Sequence, residues 1–408
     1  MHIAFFTNFY KPVINGVVRS ISVFRKELSA LGHNVFVFAQ TDKYEDEEPF
    51  IFRYPSLSLP APVQVKVPAV IPVSPFVDWL VPSLKLDVIH THHPVLLGQA
   101  AASKAEDLNL PLVFTFHTQY QEYTHYVPLP QEAIQEFLKD TVQTWLMDFM
   151  RRCQHIVIPS KSMEEILVRE YGLRGHYTVI PTGIDLEPYR RVDGKSLRAR
   201  MGWQDDKVLV SVGRLAKEKN LDTLFHAAKK VLRTHPDLRV VVIGDGLEKD
   251  ALQKLTVELG IAERVTFTGE IPFSEIPSYL KAADVFGFAS ITETQGLVTM
   301  EALAAGLPVA AVDASGTRDI LDDGVQGFLV PNNADALAES INRLFESPER
   351  LEKFRVNALE KAKEFDLGIC TRKLESVYEQ AIQDKSEGRF VEVEGLEKEK
   401  ENEHEDTG

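Results

Sequence analysis

Apolar runs of four to eight residues, rich in Val, Ile and Phe, alternate along this chain with segments of helical periodicity, and the alternation leaves few folds open. Runs that are apolar at consecutive positions belong to strands buried on both faces, as in a parallel sheet covered by crossover helices. In the first half the strands read as 2–6 ("HIAFF"), 35–39, 87–92 ("DVIHTH"), 112–117 ("LVFTFH") and 155–160, with helices near 18–31, 94–107, 131–152 and 161–171. The pattern restarts at 207–215 ("KVLVSVGRL") and runs on through 238–246, 264–271, 284–290 and 307–315, with helices near 220–234, 247–259, 274–283, 297–305 and 334–346. Two doubly wound α/β domains facing across a cleft are therefore expected, with 179–194 as a loop between them and ligands at the C-terminal ends of strands. The pattern does not set the strand order within either sheet.

The length of 408 residues agrees, being more than one ordinary core supports. The two cysteines, Cys153 and Cys370, match no ligand or redox spacing and fit a reducing compartment. The N-terminal "MHIAFFTNFY" has no basic leader and reads as a core strand, and no apolar run approaches the ~20 residues of a membrane span. A net charge of −15 argues against nucleic acid as a partner. Residues 384–408 hold ten acidic and four basic residues and few large apolar ones, so a disordered tail is expected there. Residues 54–84 are rich in proline and carry only Lys66 and Asp78 as charges. Proline at that density speaks against an ordinary helix or central strand. The stretch reads either as an apolar loop packed on its own domain or as an exposed surface for a lipid or membrane.

Four motifs carry chemistry. In "SITETQGLVTMEALAAGLPV" (290–309) a strand ends, a turn with Gly296 follows, and a helix starts at Leu297, offering free N–H groups and a positive dipole end to a phosphate or sugar oxygen. Glu293 stands in the turn and Glu301 eight residues later, both amid buried-type sequence where an unpaired carboxylate is costly, so they suit a grip on several sugar hydroxyls. In "SVGRLAKEKN" (211–220) Arg214 and Lys219 flank a loop after Gly213, an arrangement suited to a diphosphate or to plain surface cations. "NFYKPVINGVVRSI" (8–21) is a strand–loop–helix turn without G-x-G-x-x-G, in which Gly16 permits close approach of a ligand. The histidines of "HTHH" (90–93), with His117 and His125, lack the accompanying ligands of a zinc site and read as polar groups near the cleft, so no metal is expected. No D-x-D triplet occurs, and a loosely bound Mg²⁺ is not required by the sequence.

Taken together, these motifs resemble retaining glycosyltransferases of family 4. "ETQGLVTMEALAAGLPV" is similar to that family's E-x7-E element, "VSVGRLAKEKN" to its nucleotide-diphosphate loop, and "PTGID" (181–185), "NGVVRSI" and "FHT" follow in the family's order. The resemblance spans the chain to about residue 380 and implies the GT-B fold, two Rossmann-like domains. It implies an acceptor-side domain at 1–185, a nucleotide-sugar domain at 186–368, a helix at 369–384 crossing back to the first domain, and the acidic tail at 385–408 outside the match. Carried over by position, Glu293 holds donor-sugar hydroxyls and Glu301 the ribose. Arg214 and Lys219 bind the diphosphate, helped by Gly213 and the amides near Gly296 and Leu297. Gly16 approaches the donor phosphate from the other domain, and His117 lies beside the reacting sugar. Gln295 stands where many members have an aromatic residue, which loosens the inference about the donor and not about the fold.

The stretch "FHTQYQEYTHYV" (116–127) resembles its counterpart in bacterial diacylglycerol α-glucosyltransferases, which makes Tyr120, Glu122, Tyr123, His125 and Tyr126 candidates for the acceptor headgroup. The implied reaction is retaining transfer of a hexose, glucose from UDP-glucose, to 1,2-diacylglycerol by a cytoplasmic enzyme with peripheral contact at the inner face of the cell membrane through 54–84. No tightly bound cofactor is implied. Another lipid or soluble acceptor (phosphatidylinositol, a sugar-phosphate, a polysaccharide), a sugar-binding protein and a sugar-nucleotide epimerase are the rival readings.

Overall fold

A computed structural model describes residues 1–13, 15–40, 46, 48–57, 69–70, 74–117 and 132–394. Two parallel sheets dominate it. The first has seven strands, ordered Tyr177–Val179, His155–Ile158, Leu112–Thr115, Val88–Thr91, His2–Phe6, Asn34–Gln40 and Ile51–Tyr54. The second has six, ordered Val265–Gly269, Leu238–Ile243, Lys207–Val212, Val285–Phe288, Val309–Val312 and Gly327–Val330. Along His2–Phe6, Ile3 and Phe5 enter one apolar cluster while Ala4 and Phe6 enter another, so each face of the sheet has its own core. Leu209 and its neighbours Val208 and Val210 divide in the same way between the two cores of the second sheet. This is the α/β GT-B architecture, with two Rossmann-like domains.

In each sheet the first strand in sequence lies beside the fourth, and the chain winds outward in opposite directions from that pair. Helices leaving such a pair depart to opposite faces and open a crevice beyond the strands' C-terminal ends. The switch points are therefore His2–Phe6 with Val88–Thr91, and Lys207–Val212 with Val285–Phe288.

The two chain crossings between the domains run side by side. The Ile184 amide donates to Phe365 O and the Leu367 amide to Ile184 O, at 2.8 and 3.1 Å. A Cβ on Gly183 would lie 2.5 Å from Leu367 Cα, which gives the glycine of "PTGID" a steric reason. Helix Leu367–Ser386 then returns to the first domain, burying Leu367, Cys370, Leu374, Val377, Tyr378 and Ala381 in the cluster that holds Ile3 and Phe5.

Three expectations need correction. The segment expected to be a free tail begins within that helix and continues, at Glu392–Val393, as a strand antiparallel to Leu173–Arg174. Val391 and Val393 are buried there, so alternate apolar residues tie 387–394 to the first domain, while 395–408 lie outside the described residues. Prolines do not exclude structure from 54–84 either, because Pro75 occupies the first turn of helix Pro75–Leu80, where its missing N–H costs nothing and Ser74 supplies the cap. The loop expected over 179–194 contains a short helix, Glu187–Arg191.

Candidate active site

The motifs singled out in the sequence lie beyond these two switch points. In the second domain, Gly213 and Arg214 follow the first strand, and Lys219 ends a 3₁₀ turn at Lys217–Lys219. Gly213, Arg214 and Lys219 line one small pocket with Ser211, Val212, Leu221, Val242 and Phe288. Lys219 Nζ donates to Glu293 Oε2 at 2.9 Å, whereas the Arg214 guanidinium stands largely exposed and, among the described residues, bonds only Glu218 Oε1, at 2.8 Å. The two motifs are also joined through the backbone, since Glu218 O accepts from the Ile291 amide and the Ser290 hydroxyl.

The Glu293 turn is braced from below. Gly316 adopts φ +71°, and a Cβ there would lie 2.5 Å from Glu293 O, so only glycine fits without moving the turn. Ser315 Oγ donates to Glu293 O and Ser160 Oγ, from the first domain, to Thr294 O, at 3.3 and 2.9 Å. Helix Leu297–Ala304 starts at Gly296 without a side-chain cap. Thr299 and Met300 N–H return to Gly296 O, and the Leu297 and Val298 amides have no partner among the described residues. Uncapped amides at a helix start are anion-binding groups. Gln295, just before, is buried with no partner for Nε2.

From the first domain, helix Gly16–Ala30 presents its N-terminus to this one. Asn15 Oδ1 caps the Val18 amide, leaving those of Gly16 and Val17 without a partner among the described residues. A methyl on Gly16 would sit 3.6 Å from Leu297 Cδ1, so two helix N-termini converge across the cleft. Arg19, one turn along from Gly16, donates from Nη2 to Glu301 Oε1 at 2.6 Å, and the same oxygen accepts the Tyr189 hydroxyl at 2.9 Å. Glu301 is only 2% exposed. Burial works against the Arg19 charge, yet Glu301 more than offsets it and raises its pKa. Burial, then the Glu301 carboxylate, pushes the Tyr189 hydroxyl far above the ordinary phenol range, which keeps it a donor. A further tie between domains lies at helix Lys161–Tyr171, where the Ser162 amide and hydroxyl both donate to Asp319 at 2.9 Å.

The histidines form a separate cluster at the first switch point. His90 spans Tyr378 OH at 2.8 Å and Thr115 Oγ1 at 2.6 Å, and His93 Nδ1 accepts the Asn8 amide at 3.1 Å. His92 Nδ1 faces His117 Nε2 at 3.0 Å, with one ring donating and the other accepting, while His92 Nε2 is buried without a partner among the described residues. Burial holds His90, His93 and His117 down at about 3 and His92 well below the ordinary value, so all four are neutral imidazoles at pH 7.

Thus Arg214, Lys219 and Glu293 stand together with the Gly296–Leu297 helix start, and Gly16 meets them from the opposite domain. His117 has His92 as its partner and touches none of Arg214, Lys219 or Glu293 among the described residues. Tyr120, Glu122, Tyr123, His125 and Tyr126 lie outside the described residues. Glu301 is paired, as its apolar surroundings require, with Arg19 and Tyr189 sharing one of its oxygens. Arg19 was in view within "NGVVRSI"; Tyr189, Ser160, Ser162 and Asp319 carried no signal of their own. No group of three or more His, Cys, Asp or Glu side chains is disposed to hold a metal ion among the described residues.

Comparisons with known proteins identify the family and the fold. Residues 14–188 match the family model "Glycosyltransferase Family 4", and residues 195–361 match "Glycosyl transferases group 1". The alpha-monoglucosyldiacylglycerol synthase of Acholeplasma laidlawii is 30% identical over 391 residues, 93% of this chain and 96% of the relative. The protein of that name from Streptococcus pneumoniae is 34% identical over 359 residues, 86% of this chain and 79% of the relative. Among solved structures, Anabaena HepE in complex with UDP and glucose superposes with a TM-score of 0.71 at 22% identity, covering 93% of this chain and 99% of that one. Sucrose-phosphate synthase from Thermosynechococcus elongatus does so at 0.75 and 22%, covering 94% and 99%. With both halves matched by family models and relatives matched along nearly the full length, this chain belongs to glycosyltransferase family 4 and is a GT-B hexosyltransferase.

Proposed function

We propose that the protein transfers glucose from UDP-glucose to the 3-hydroxyl of 1,2-diacylglycerol with retention of the α configuration. The observation that carries this reading is the convergence of two helix N-termini beside the Lys219–Glu293 pair: one at Gly16, where Asn15 caps only the Val18 amide, and an uncapped one at Leu297. Each terminus presents about half a positive charge, and Arg214 and Lys219 are cations that can turn from Glu218 and Glu293 to a ligand, so the cleft suits a diphosphate that gains charge as it leaves. HepE has been crystallised with UDP-glucose, and relatives matching nearly the whole chain are alpha-monoglucosyldiacylglycerol synthases, which favours this donor and acceptor.

In this reaction the bond from the glucose anomeric carbon to the β-phosphate oxygen breaks, and a bond to the acceptor oxygen forms on the same face. The acceptor proton passes to the departing β-phosphate oxygen. Arg214, Lys219 and the amides of Gly296 and Leu297 stabilise that oxygen and its neighbours, while Gly213, whose own amide is held by Ile243 O, and Gly16 let the backbone of each domain approach the phosphates. Glu293 grips glucose hydroxyls, Glu301 the ribose, and neutral His117 hydrogen-bonds the sugar. Tyr120, Glu122, Tyr123, His125 and Tyr126 orient the acceptor. Residues 1–185 form the acceptor domain and 186–368 the donor domain, with 369–384 returning to the first. The exposed rings of Phe76 and Trp79 on helix Pro75–Leu80 give the acceptor domain a point of contact with the membrane surface, and no helix among the described residues is long and apolar enough to cross one.

The test is incubation of purified protein with radiolabelled UDP-glucose or UDP-galactose and vesicles with or without 1,2-diacylglycerol. Chloroform-soluble label from UDP-glucose that depends on diacylglycerol and is released by an α-glucosidase is the expected outcome. Label confined to water-soluble product, or released only by a β-glucosidase, refutes the acceptor or the stereochemistry respectively.

A further inference from the structure

Glu301 makes an asymmetric set of contacts. Oε1 takes two strong donors, Arg19 Nη2 at 2.6 Å and Tyr189 OH at 2.9 Å, whereas Oε2 takes none among the described residues. The donors come from different places. Tyr189 sits on helix Glu187–Arg191, at the entrance to the second domain, and Arg19 sits on the first helix of the first domain. Arg19 is fixed beyond its ion pair, because its guanidinium also lies over the Phe273 ring at 4.3 Å. The pairing is in register along two helices: Gly16 faces Leu297, and one turn further Arg19 faces Glu301. A carboxylate held at one oxygen by two donors cannot turn freely, and its other oxygen keeps a single direction. A lone buried carboxylate would be costly, so part of this arrangement is plain charge compensation. Charge compensation alone, however, is best met by engaging both oxygens, and here one is left over.

We infer that Arg19 and Tyr189 are positioning residues for the donor nucleotide: they clamp Glu301 through Oε1 so that Oε2 is aimed at the ribose hydroxyls. Because Arg19 belongs to the first domain, the clamp is complete only with the two domains together, and ribose recognition is coupled to closure of the cleft. The inference rests on the reading of Glu301 as the ribose-binding carboxylate, and the test separates the two.

Titration calorimetry of the full-length protein with UDP and with 2′-deoxy-UDP measures the contribution of one ribose hydroxyl without any acceptor or donor sugar. A charged hydrogen bond to that hydroxyl predicts a preference for UDP of about 10- to 100-fold in the unaltered protein. Glu301→Gln tests the reading beneath: the preference collapses to within about 3-fold. Failure of UDP to bind the unaltered protein, or an unchanged preference in Glu301→Gln, overturns that reading and the inference with it. Tyr189→Phe keeps the ring and removes the donor, and Arg19→Gln removes the charge. Each is expected to lower the preference to less than a third of its original value, with Arg19→Lys restoring part of it. If Glu301→Gln loses the preference while Tyr189→Phe and Arg19→Gln keep it, the positioning role is refuted and the ribose reading stands. Equal weakening of both ligands in these variants is the signature of a merely structural role and also refutes it. Tyr189→Phe is the decisive variant if Arg19→Gln does not fold.

Discussion

Acidification from pH 7.0 to 5.5 is expected to destabilise the first domain through its buried histidines. His90, His92 and His93 are nearly inaccessible and neutral, with His90 and His93 held at about 3 against an ordinary value of 6.5. The sign follows from proton counts. Below 6.5 the unfolded chain binds protons that the folded chain refuses, so stability falls as pH drops through 6.5 and goes on falling towards the folded values. For one such histidine the change between pH 7.0 and 5.5 is on the order of 1 kcal/mol, and for the three together roughly 3–4 kcal/mol. His117, also held at about 3 but less enclosed, is left out of that sum, and His155, pulled to about 4 by burial, acts in the same direction. Carboxylates with lowered values, such as Glu48 and Asp384, begin to lose their contribution only below their ordinary 4.5 and 3.8, outside this window.

The assay is urea unfolding at the two pH values, followed by tryptophan fluorescence, on the unaltered protein and on His92→Leu. Leucine removes one titrating ring, so the pH-dependent loss shrinks by roughly 1 kcal/mol whatever the substitution does to absolute stability. A loss below about 1 kcal/mol in the unaltered protein refutes the reasoning, as does an identical loss in His92→Leu. Either result would mean that the cluster is hydrated or charged, and the neutral His117 used in the proposed reaction would go with it.

The remaining expectations concern the site and the membrane. Glu293→Ala leaves the fold intact and Lys219→Ala removes the Glu293 partner; each lowers kcat at least about 100-fold in the glucosyl-transfer assay, with thermal unfolding as the control. Gly316→Ala forces a Cβ towards Glu293 O against a positive φ and costs about 1–3 kcal/mol of stability by denaturant titration, with transfer falling further than Arg214→Lys because the Glu293 turn itself moves. Phe76→Ser with Trp79→Ser, both well exposed, leaves stability nearly unchanged and lowers sedimentation with diacylglycerol-containing vesicles about 10- to 100-fold.

What the sequence made legible follows from where each residue is buried. Central strands such as Val285–Phe288 are buried at every position, and their apolar runs stood out. Three edge strands, Ile51–Tyr54, Tyr177–Val179 and Gly327–Val330, escaped because their apolar runs are broken by Arg53 and Thr178 or are cut short after Gly327. Helix Pro348–Ala362 escaped for a similar reason, burying only Phe354, Ala358 and Ala362. Glu293 and Glu301 were conspicuous as carboxylates in apolar surroundings, and the structure pairs both. Their partners were less so. Lys219 lies near in sequence to other loop cations, whereas Arg19 is 282 residues from Glu301 and shares no periodicity with it. Periodicity reports the sheet on which an element packs, and a contact between two sheets leaves no trace in it.

That blind spot coincides with the chemistry. The helix starting at Gly16 follows the first strand of one sheet, and the helix starting at Leu297 follows the fourth strand of the other. Each domain thus contributes one of the two facing N-termini, and neither domain alone can surround a diphosphate. In the proposed reaction the leaving group develops its charge where these ends meet. Stabilisation of that charge is therefore available only with the domains together, when the acceptor domain also covers the anomeric carbon and water is excluded. A donor bound to an open protein would keep its phosphates beside Arg214 and Lys219 but lack the Gly16 amides and the Arg19 clamp. In the proposed reaction the division of the site between two sheets is itself a means of favouring transfer over hydrolysis, and the Gly16–Leu297 and Arg19–Glu301 pairs bridge that division beside the phosphates.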